Sequence, residues 1–228
     1  MMDDNLNNQS INSNSPLLDV KAITHNFDYP LFENIDLQLQ KGESIAITGT
    51  SGSGKSTFLN IISSLLIPNK GEVYYNNIDI IKASQDQLLK IRREDFGIIF
   101  QAHYLFRGFD ATENIKISEL LSGKTIDKDL LRALGIEHIM KQGIGELSGG
   151  QQQRLSCARV LVKQPKIIFA DEPTGNLDQK TANEVMDVLF DYVKNSDAGL
   201  VIVTHENDIA NRCDKVYKLE NYKLQQIK

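Results

Sequence analysis

Tryptophan is absent from the chain and cysteine is scarce. The 228 residues include two cysteines, Cys157 and Cys213, which lie far apart and form no C-x-x-C pair. This spacing argues against a disulfide framework or a zinc site and suits a reducing compartment. We therefore expect the fold to depend on a hydrophobic core, for which 228 residues with 41% hydrophobic content are sufficient.

Long apolar runs, a secretory signal pattern and an excess of positive charge are also missing. No segment approaches the roughly 18 consecutive apolar residues of a membrane-spanning helix, and the N-terminus lacks a charged stretch followed by an apolar one. The net charge is −5 without a basic stripe, which disfavours a nucleic-acid groove. We expect one domain with a subdomain, no nucleic-acid partner, and a membrane role only through another protein.

The N-terminal segment has a composition unlike the rest of the chain. Residues 1–15 are rich in Asn, Ser and Asp and poor in apolar residues. Such a segment buries too little apolar surface to offset its ordering entropy. We expect residues 1–15 to be a disordered tail and residues 16–228 to form the domain.

The apolar pattern of residues 16–228 predicts an α/β fold. Alternation at 17–23 and 35–39 indicates strands of an antiparallel edge, and a further strand pair is expected at 73–75 and 97–100. Residues 110–140 have a mostly helical pattern. These segments predict an antiparallel β edge and an inserted helical part.

The C-terminal third has the pattern of a parallel sheet. Apolar runs at 167–170 and 200–203 bracket a predicted helix at 181–194, which makes a strand-helix-strand unit. We therefore expect a mostly parallel core sheet with its ligand at the carboxyl ends of the strands.

One glycine-rich segment fits the phosphate-loop pattern G-x-x-x-x-G-K-S/T. It follows a predicted buried strand at 45–47 and precedes a predicted helix at 57–66. Its glycines allow the backbone amides to point at an anion, to which the helix adds its positive end. The alternative is a Gly/Ser-rich turn, which the flanking strand and helix disfavour. The expected phosphate-binding residues are Gly49, Thr50, Ser51, Gly52, Ser53, Gly54, Lys55, Ser56 and Thr57.

Polar residues with distinct chemistry follow the predicted strands. Lys55 is expected to reach the β and γ phosphates, and Ser56 to ligate Mg²⁺. After the strand at 167–170, Asp171 can complete the Mg²⁺ shell while Glu172 polarises a water for attack on the γ phosphate. The alternative for this acidic pair is a solvated loop. His205 follows the strand at 200–203, a position that favours contact with the γ phosphate.

Together with the segment LSGGQ at 147–151, these residues resemble the nucleotide-binding domain of ABC transporter ATPases, over residues 17–228. The resemblance implies ATP and Mg²⁺ as cofactors, a helical subdomain at about 102–160, and a head-to-tail homodimer. In such a dimer the signature of one copy caps the ATP on the phosphate loop of the other. The signature residues implied are Ser148, Gly149, Gly150 and Gln151.

The resemblance also assigns roles to other residues. It places Glu172 as the catalytic glutamate, His205 as the switch histidine, and Asp178 in the D-loop at 175–178. Gln101 takes the position of the glutamine that touches Mg²⁺ or the attacking water. Phe27 takes the position of the aromatic that stacks on adenine; Tyr29 is the alternative, and a core role for Phe27 also stays open.

Longer shared segments narrow the resemblance to the lipoprotein-releasing (LolD), efflux (MacB) and cell-division (FtsE) ATPases. They are residues 170–178, 100–105 and 112–115. This implies a peripheral ATPase at the cytoplasmic face of the inner membrane, bound to a permease and powering lipoprotein release or export. Efflux, or an FtsE-like signalling function without transport, is the alternative.

The chain departs from that group at 107–109, which reads Arg-Gly-Phe, and has a shorter helical insert. We expect the neighbouring apolar residues to line the permease groove, although packing under the insert is an equal alternative. They are Tyr104, Leu105, Phe106 and Phe109.

Overall fold

The computed structural model describes residues 15–175 and 177–228. Its strands are β1 Leu18–Asn26, β2 Pro30–Leu39, β3 Ser44–Thr48, β4 Lys70–Tyr75, β5 Ile78–Asp79, β6 Phe96–Ile99, β7 Ile167–Asp171, β8 Gly199–Val203, β9 Lys215–Glu220 and β10 Lys223–Gln226. Its α-helices are α1 Lys55–Ile62, α2 Gln85–Glu94, α3 Ala111–Ser122, α4 Lys128–Ala133, α5 Gly149–Leu161, α6 Gln179–Ser196 and α7 Asn207–Arg212. Except for Ser15, the predicted disordered tail lies outside the described residues.

The described strands form two sheets. The smaller has the order β2-β1-β4-β5 and is antiparallel, and the larger has the order β10-β9-β3-β8-β7-β6. In the larger sheet β3, β6, β7, β8 and β9 run parallel, and β10 is antiparallel at one edge. The predicted fold class, a mostly parallel core sheet with an antiparallel edge, is confirmed.

The parallel sheet separates two hydrophobic cores. Because side chains alternate between the faces of a strand, each buried strand serves both cores. On β7, Ile168 and Ala170 join the core under the helices, whereas Ile167 and Phe169 join the core under the antiparallel sheet. The continuous apolar runs of β3, β7 and β8 are therefore explained by burial on both sides.

The expected pairing of strands 73–75 and 97–100 is wrong. β4 pairs antiparallel with β1, while β6 pairs parallel with β7, so the two strands lie in different sheets. A short apolar run predicts a strand but does not name its neighbour, which is decided by long-range packing.

Two helices differ from their predicted bounds in ways that affect the site. The helix expected at 57–66 is α1, which starts at Lys55 and ends at Ile62, and Ser64 then takes a left-handed φ of 67°. α6 is longer than predicted and begins directly after Asp178. Within the helical insert, α3 packs against α5, which in turn packs on β6. None of the described helices is long and apolar enough to cross a membrane.

Candidate active site

The phosphate loop connects β3 to α1 and curls around its own backbone. Gly49, Gly52 and Gly54 have positive φ, and Gly54 is the N-cap of α1. A Cβ at Gly49 would lie 2.5 Å from the carbonyl oxygen of Leu219 and 3.0 Å from Ser53 Oγ. Glycine is thus required here both by conformation and by close approach. The loop exposes Thr50, Ser51 and Gly52 to solvent beside the positive end of α1.

Lys55 holds its ammonium group inside the loop. The side chain is buried, and Nζ donates to the carbonyl oxygens of Gly49 at 3.1 Å and Thr50 at 2.9 Å. In the described part of the chain no carboxylate forms an ion pair with this charge within 4.0 Å. A buried cation with only carbonyl partners is suited to a phosphate group.

The hydroxyl of Ser56 and the carboxylate of Asp171 meet at the carboxyl ends of β3 and β7. Ser56 Oγ donates to Asp171 Oδ1 at 3.0 Å. Burial raises the pKa of Asp171, and the negative charge of Glu172 adds to this, while the bond from Ser56 opposes it. Hydroxyl and carboxylate oxygens are ligands that Mg²⁺ accepts, so the donors present fit this ion. A bound cation would favour the ionised form of Asp171 and so oppose the effect of burial on its pKa.

Glu172 and His205 form a second pair next to the first. His205 Nδ1 lies 2.9 Å from Glu172 Oε2, and the glutamate side chain is 15% exposed while the histidine is 66% exposed. The close contact with Glu172 raises the pKa of His205, and the glutamate charge raises it further. Glu172 also has a left-handed φ of 46°. Such strain in a non-glycine residue is typical of functional sites.

The signature residues form the start of α5. Ser148 is its N-cap: Ser148 Oγ accepts from the amide of Gln151 at 3.3 Å, and the amide of Ser148 donates to Gln151 Oε1 at 2.8 Å. Ser148 and Gly149 are exposed at this helix N-terminus, which favours an anion. Gly150 packs beside Thr181, at the start of α6.

Helix α6 is capped by a residue of the D-loop. Asp178 is the N-cap of α6, and its Oδ1 accepts from the amide of Thr181 at 3.0 Å. Hydrogen bonds from Thr181 lower the pKa of Asp178. Asn176, in the same loop, lies outside the described residues. Both capping roles could have been found from sequence, because Ser148-x-x-Gln151 is a capping-box spacing and Asp178 is a favoured N-cap residue directly before a helical pattern.

Comparison with known proteins identifies the family. The family described as "ABC transporter" matches residues 32–175. The chain belongs to the ABC transporter family. The predicted ABC ATP-binding subunit and ATPase class are thereby confirmed.

Curated relatives and solved structures agree with this assignment. The lipoprotein-releasing system ATP-binding protein LolD of Xanthomonas oryzae is 39% identical over 87% of this chain and 84% of its own. LolD of Bdellovibrio bacteriovorus is 39% identical over 84% of this chain and 90% of its own. A dimer of the ATP-binding cassette MJ0796 bound to ADP and Pi has a TM-score of 0.84 at 31% identity, covering 92% of this chain and 99% of that one.

Gln101, placed after β6, is separate from the Ser56–Asp171 pair in this ABC domain. Its side chain is exposed and lies beside Gly175, with Nε2 3.6 Å from where a Cβ on that glycine would be. Among the described residues, Gln101 forms no hydrogen bond with Ser56 or Asp171. Its expected contact with Mg²⁺ or water stays a prediction.

Of the two aromatic residues expected to stack on adenine, Tyr29 lines a cavity beside the phosphate loop and Phe27 does not. A cavity of about 440 Å³ beside the loop is lined by Tyr29, by Thr50 and Ser53 of the loop, and by Tyr222. Phe27 is 53% exposed, so its core alternative is wrong, and its ring meets His25 edge-on at 4.9 Å. Phe27 is not among the residues that line this cavity.

Tyr222 is the residue that sequence reasoning missed. It lies in the turn between β9 and β10, with a left-handed φ of 63°, and its carbonyl oxygen accepts from the amide of Glu33 at 2.9 Å. Nothing local in the sequence marks it, since its position beside the phosphate loop depends on the pairing of β9 with β3.

Proposed function

We propose that this chain is the ATP-hydrolysing subunit of a LolD-like transporter that releases lipoproteins from a membrane. The observation that carries this proposal is the pair of contacts at one sheet edge, Ser56 with Asp171 and Glu172 with His205. They stand at the carboxyl ends of parallel strands, next to the phosphate loop. The names of the relatives in Xanthomonas and Bdellovibrio support lipoproteins as the cargo.

The residues divide the work of phosphoryl transfer. Loop amides at 49–57 and Lys55 hold the β and γ phosphates, and Ser56 and Asp171 hold Mg²⁺, which neutralises phosphate charge when bound. Glu172 orients and deprotonates the attacking water, and Gln101 lies at the same edge to assist it. His205 donates to the γ phosphate.

The second half of the site is supplied by another copy of the chain. We propose that Ser148, Gly149 and Gly150 of one protomer face the nucleotide on the other, with Gln151 holding Ser148 in place as the cap partner. The exposed N-terminus of α5 supports this arrangement. We propose that Asp178, the N-cap of α6, reports closure across the interface. Adenine stacks on an aromatic residue of the turn between β1 and β2, Phe27 or Tyr29.

A permease subunit is the second partner. Tyr104, Phe106 and Phe109 are exposed, and the rings of Phe106 and Phe109 lie 5.9 Å apart, whereas Leu105 packs against the core. Exposed aromatic clusters of this kind mark protein interaction sites. We propose that they border the docking site of a membrane-embedded subunit, which would place this chain peripherally at the cytoplasmic face of the inner membrane.

The substitution Glu172→Gln tests the assigned base. Glutamine keeps the shape and the contact to His205 but cannot take a proton, so ATP binding should be retained while hydrolysis falls by about 10²-fold or more. An ATP-bound dimer should then accumulate, which light scattering coupled to gel filtration would detect.

Glu137→Gln is the matched control for this test, because Glu137 is an exposed carboxylate in the helical insert, far from Glu172 in the sequence. It should hydrolyse ATP at the parental rate and form no trapped dimer. If Glu172→Gln also hydrolyses ATP at the parental rate, the assignment of the base is wrong.

A further inference from the structure

The turn between β9 and β10 has a bulky residue at a position where its conformation favours glycine. Its two central residues, Asn221 and Tyr222, are both left-handed, with φ of 49° and 63°. A two-residue hairpin turn with this geometry is of type I′, in which Asn-Gly is the preferred pair. A left-handed backbone is strained for a large side chain such as that of tyrosine. The residue at 222 therefore needs an explanation other than the turn itself.

A second turn of the same kind has the residues that this geometry favours. Between β4 and β5, Asn76 and Asn77 have φ of 46° and 65°. Asparagine tolerates the left-handed region because its short polar side chain can form local hydrogen bonds. The two turns share their conformation and their first residue. They differ at the second, which is Asn77 in one turn and Tyr222 in the other.

The hydrogen bonds that attach the β9–β10 turn to β2 do not use the tyrosine ring. The carbonyl oxygen of Tyr222 accepts from the amide of Glu33 at 2.9 Å. Lys223 Nζ donates to the carbonyl oxygen of Glu33 at 3.0 Å. The first contact is available to any residue at 222, and the second comes from the next residue. Because the Tyr222 side chain is also 53% exposed, much of its surface is not used in packing.

The turn is held close to the phosphate loop. β9 pairs in parallel with β3, the strand that leads into the loop. At the end of β9, the carbonyl oxygen of Leu219 lies 2.5 Å from where a Cβ on Gly49 would be. Packing this close keeps the turn, which follows Glu220, beside the loop.

Tyr222 lines the cavity of about 440 Å³ next to the phosphate loop. Thr50 and Ser53 of the loop line it as well, and Tyr29, which is 61% exposed, adds a second aromatic surface. Among the described residues that line the cavity, Glu220 is acidic and none is Lys or Arg. The cavity is therefore unsuited to phosphate and suited to the uncharged base of a nucleotide whose phosphates lie on the loop.

We propose that Tyr222 stacks on the base of the bound ATP and contributes to its affinity. This inference rests on the proposed function, because it adds a base-contacting residue from the β9–β10 turn to the ATP site. The strain at 222 is then explained by a contact that the ring makes with the ligand.

Replacing Tyr222 by the residue of the other turn tests this contact. Tyr222→Asn gives the β9–β10 turn the Asn-Asn pair of the β4–β5 turn, so it removes the ring and keeps a residue suited to the conformation. The Kd for ATP, measured by isothermal titration calorimetry, should rise about tenfold, as is typical for loss of one aromatic stacking contact with a base. Tyr222→Phe keeps the ring and should bind ATP with the parental Kd. The urea midpoint of Tyr222→Asn should equal or exceed the parental midpoint, because the strain is relieved.

The reverse exchange, Asn77→Tyr, is the matched control. Asn77 is exposed and does not line the cavity, so this variant should lower the urea midpoint and leave the Kd for ATP unchanged. Inorganic tripolyphosphate, which has no base, separates the base from the phosphates. It should bind to Tyr222→Asn with the parental Kd.

Three results would overturn the inference. They are an unchanged Kd for ATP in Tyr222→Asn, an equal weakening of ATP and tripolyphosphate in that variant, and weakened ATP binding in Tyr222→Phe. If Tyr222→Asn does not fold, Tyr222→Gly repeats the test, because glycine is the residue that this turn prefers. A parental chain that binds no ATP would refute the proposed function as well, whereas the three results above would leave it intact.

Discussion

Glu172 and His205 show how backbone conformation sets side-chain chemistry in this site. The left-handed φ of Glu172 turns its carboxylate toward His205 at the end of the neighbouring strand β8. A left-handed conformation costs roughly 1–2 kcal/mol for a non-glycine residue. A relaxed backbone would be more stable, so the strain is explained by the position it gives to the carboxylate.

The titration of His205 should report this contact. Its pKa is raised in the folded protein, so the contact stabilises the fold at pH values below the unfolded pKa of about 6.5 and is lost as pH rises through the raised value. Because His205 is mostly exposed, we expect the effect in its NMR titration rather than in global stability. Glu172→Gln should move the titration of His205 to lower pH and leave the other histidine resonances unmoved. An unchanged His205 titration would contradict the contact.

Ser148 has two separable roles, as helix cap and as signature residue. Ser84 is its matched control, because it caps α2 with the same capping box through Gln87. Ser148→Ala and Ser84→Ala should each lower the free energy of unfolding by about 1 kcal/mol in chemical denaturation. Only Ser148→Ala should also abolish ATP-induced dimerisation of the Glu172→Gln background. Retention of dimerisation in both variants would mean that Ser148 acts only as a cap.

The helices and strands that carry the site were predictable because their signals are local. The buried strands at 45–47, 167–170 and 200–203 each lead directly into a polar residue, and parallel strands bring their carboxyl ends together. The pairing of β4 and β6 was not predictable, because a short apolar run does not identify its neighbour. Tyr222 was missed for the same reason: its place beside the phosphate loop depends on a strand pairing across the chain.

A single copy of the chain presents its phosphate loop and its signature as separate surfaces. The cavity beside the loop is lined by residues of β2, the loop and the β9–β10 turn, and by none of the residues 147–151. Lys55 is buried in one part of the molecule, and Ser148 is exposed at the start of α5. Two-fold pairing of identical chains can bring the phosphate loop of each copy against the signature of the other copy. Such a dimer therefore contains two shared sites.

Mixing two inactive variants should therefore restore activity. Lys55→Ala removes the cation of the phosphate loop, and Ser148→Phe obstructs the signature. Neither variant alone should therefore hydrolyse ATP. In a mixed dimer one site combines the intact loop of the Ser148→Phe chain with the intact signature of the Lys55→Ala chain. With random pairing of equal amounts, about a quarter of all sites are intact, which a steady-state phosphate-release assay would detect. The control mixes Ser148→Phe with a chain that carries both substitutions; this mixture contains no intact site and should not hydrolyse ATP. ATP hydrolysis by the control mixture would contradict a site shared between protomers. A lack of hydrolysis in the first mixture would contradict it as well.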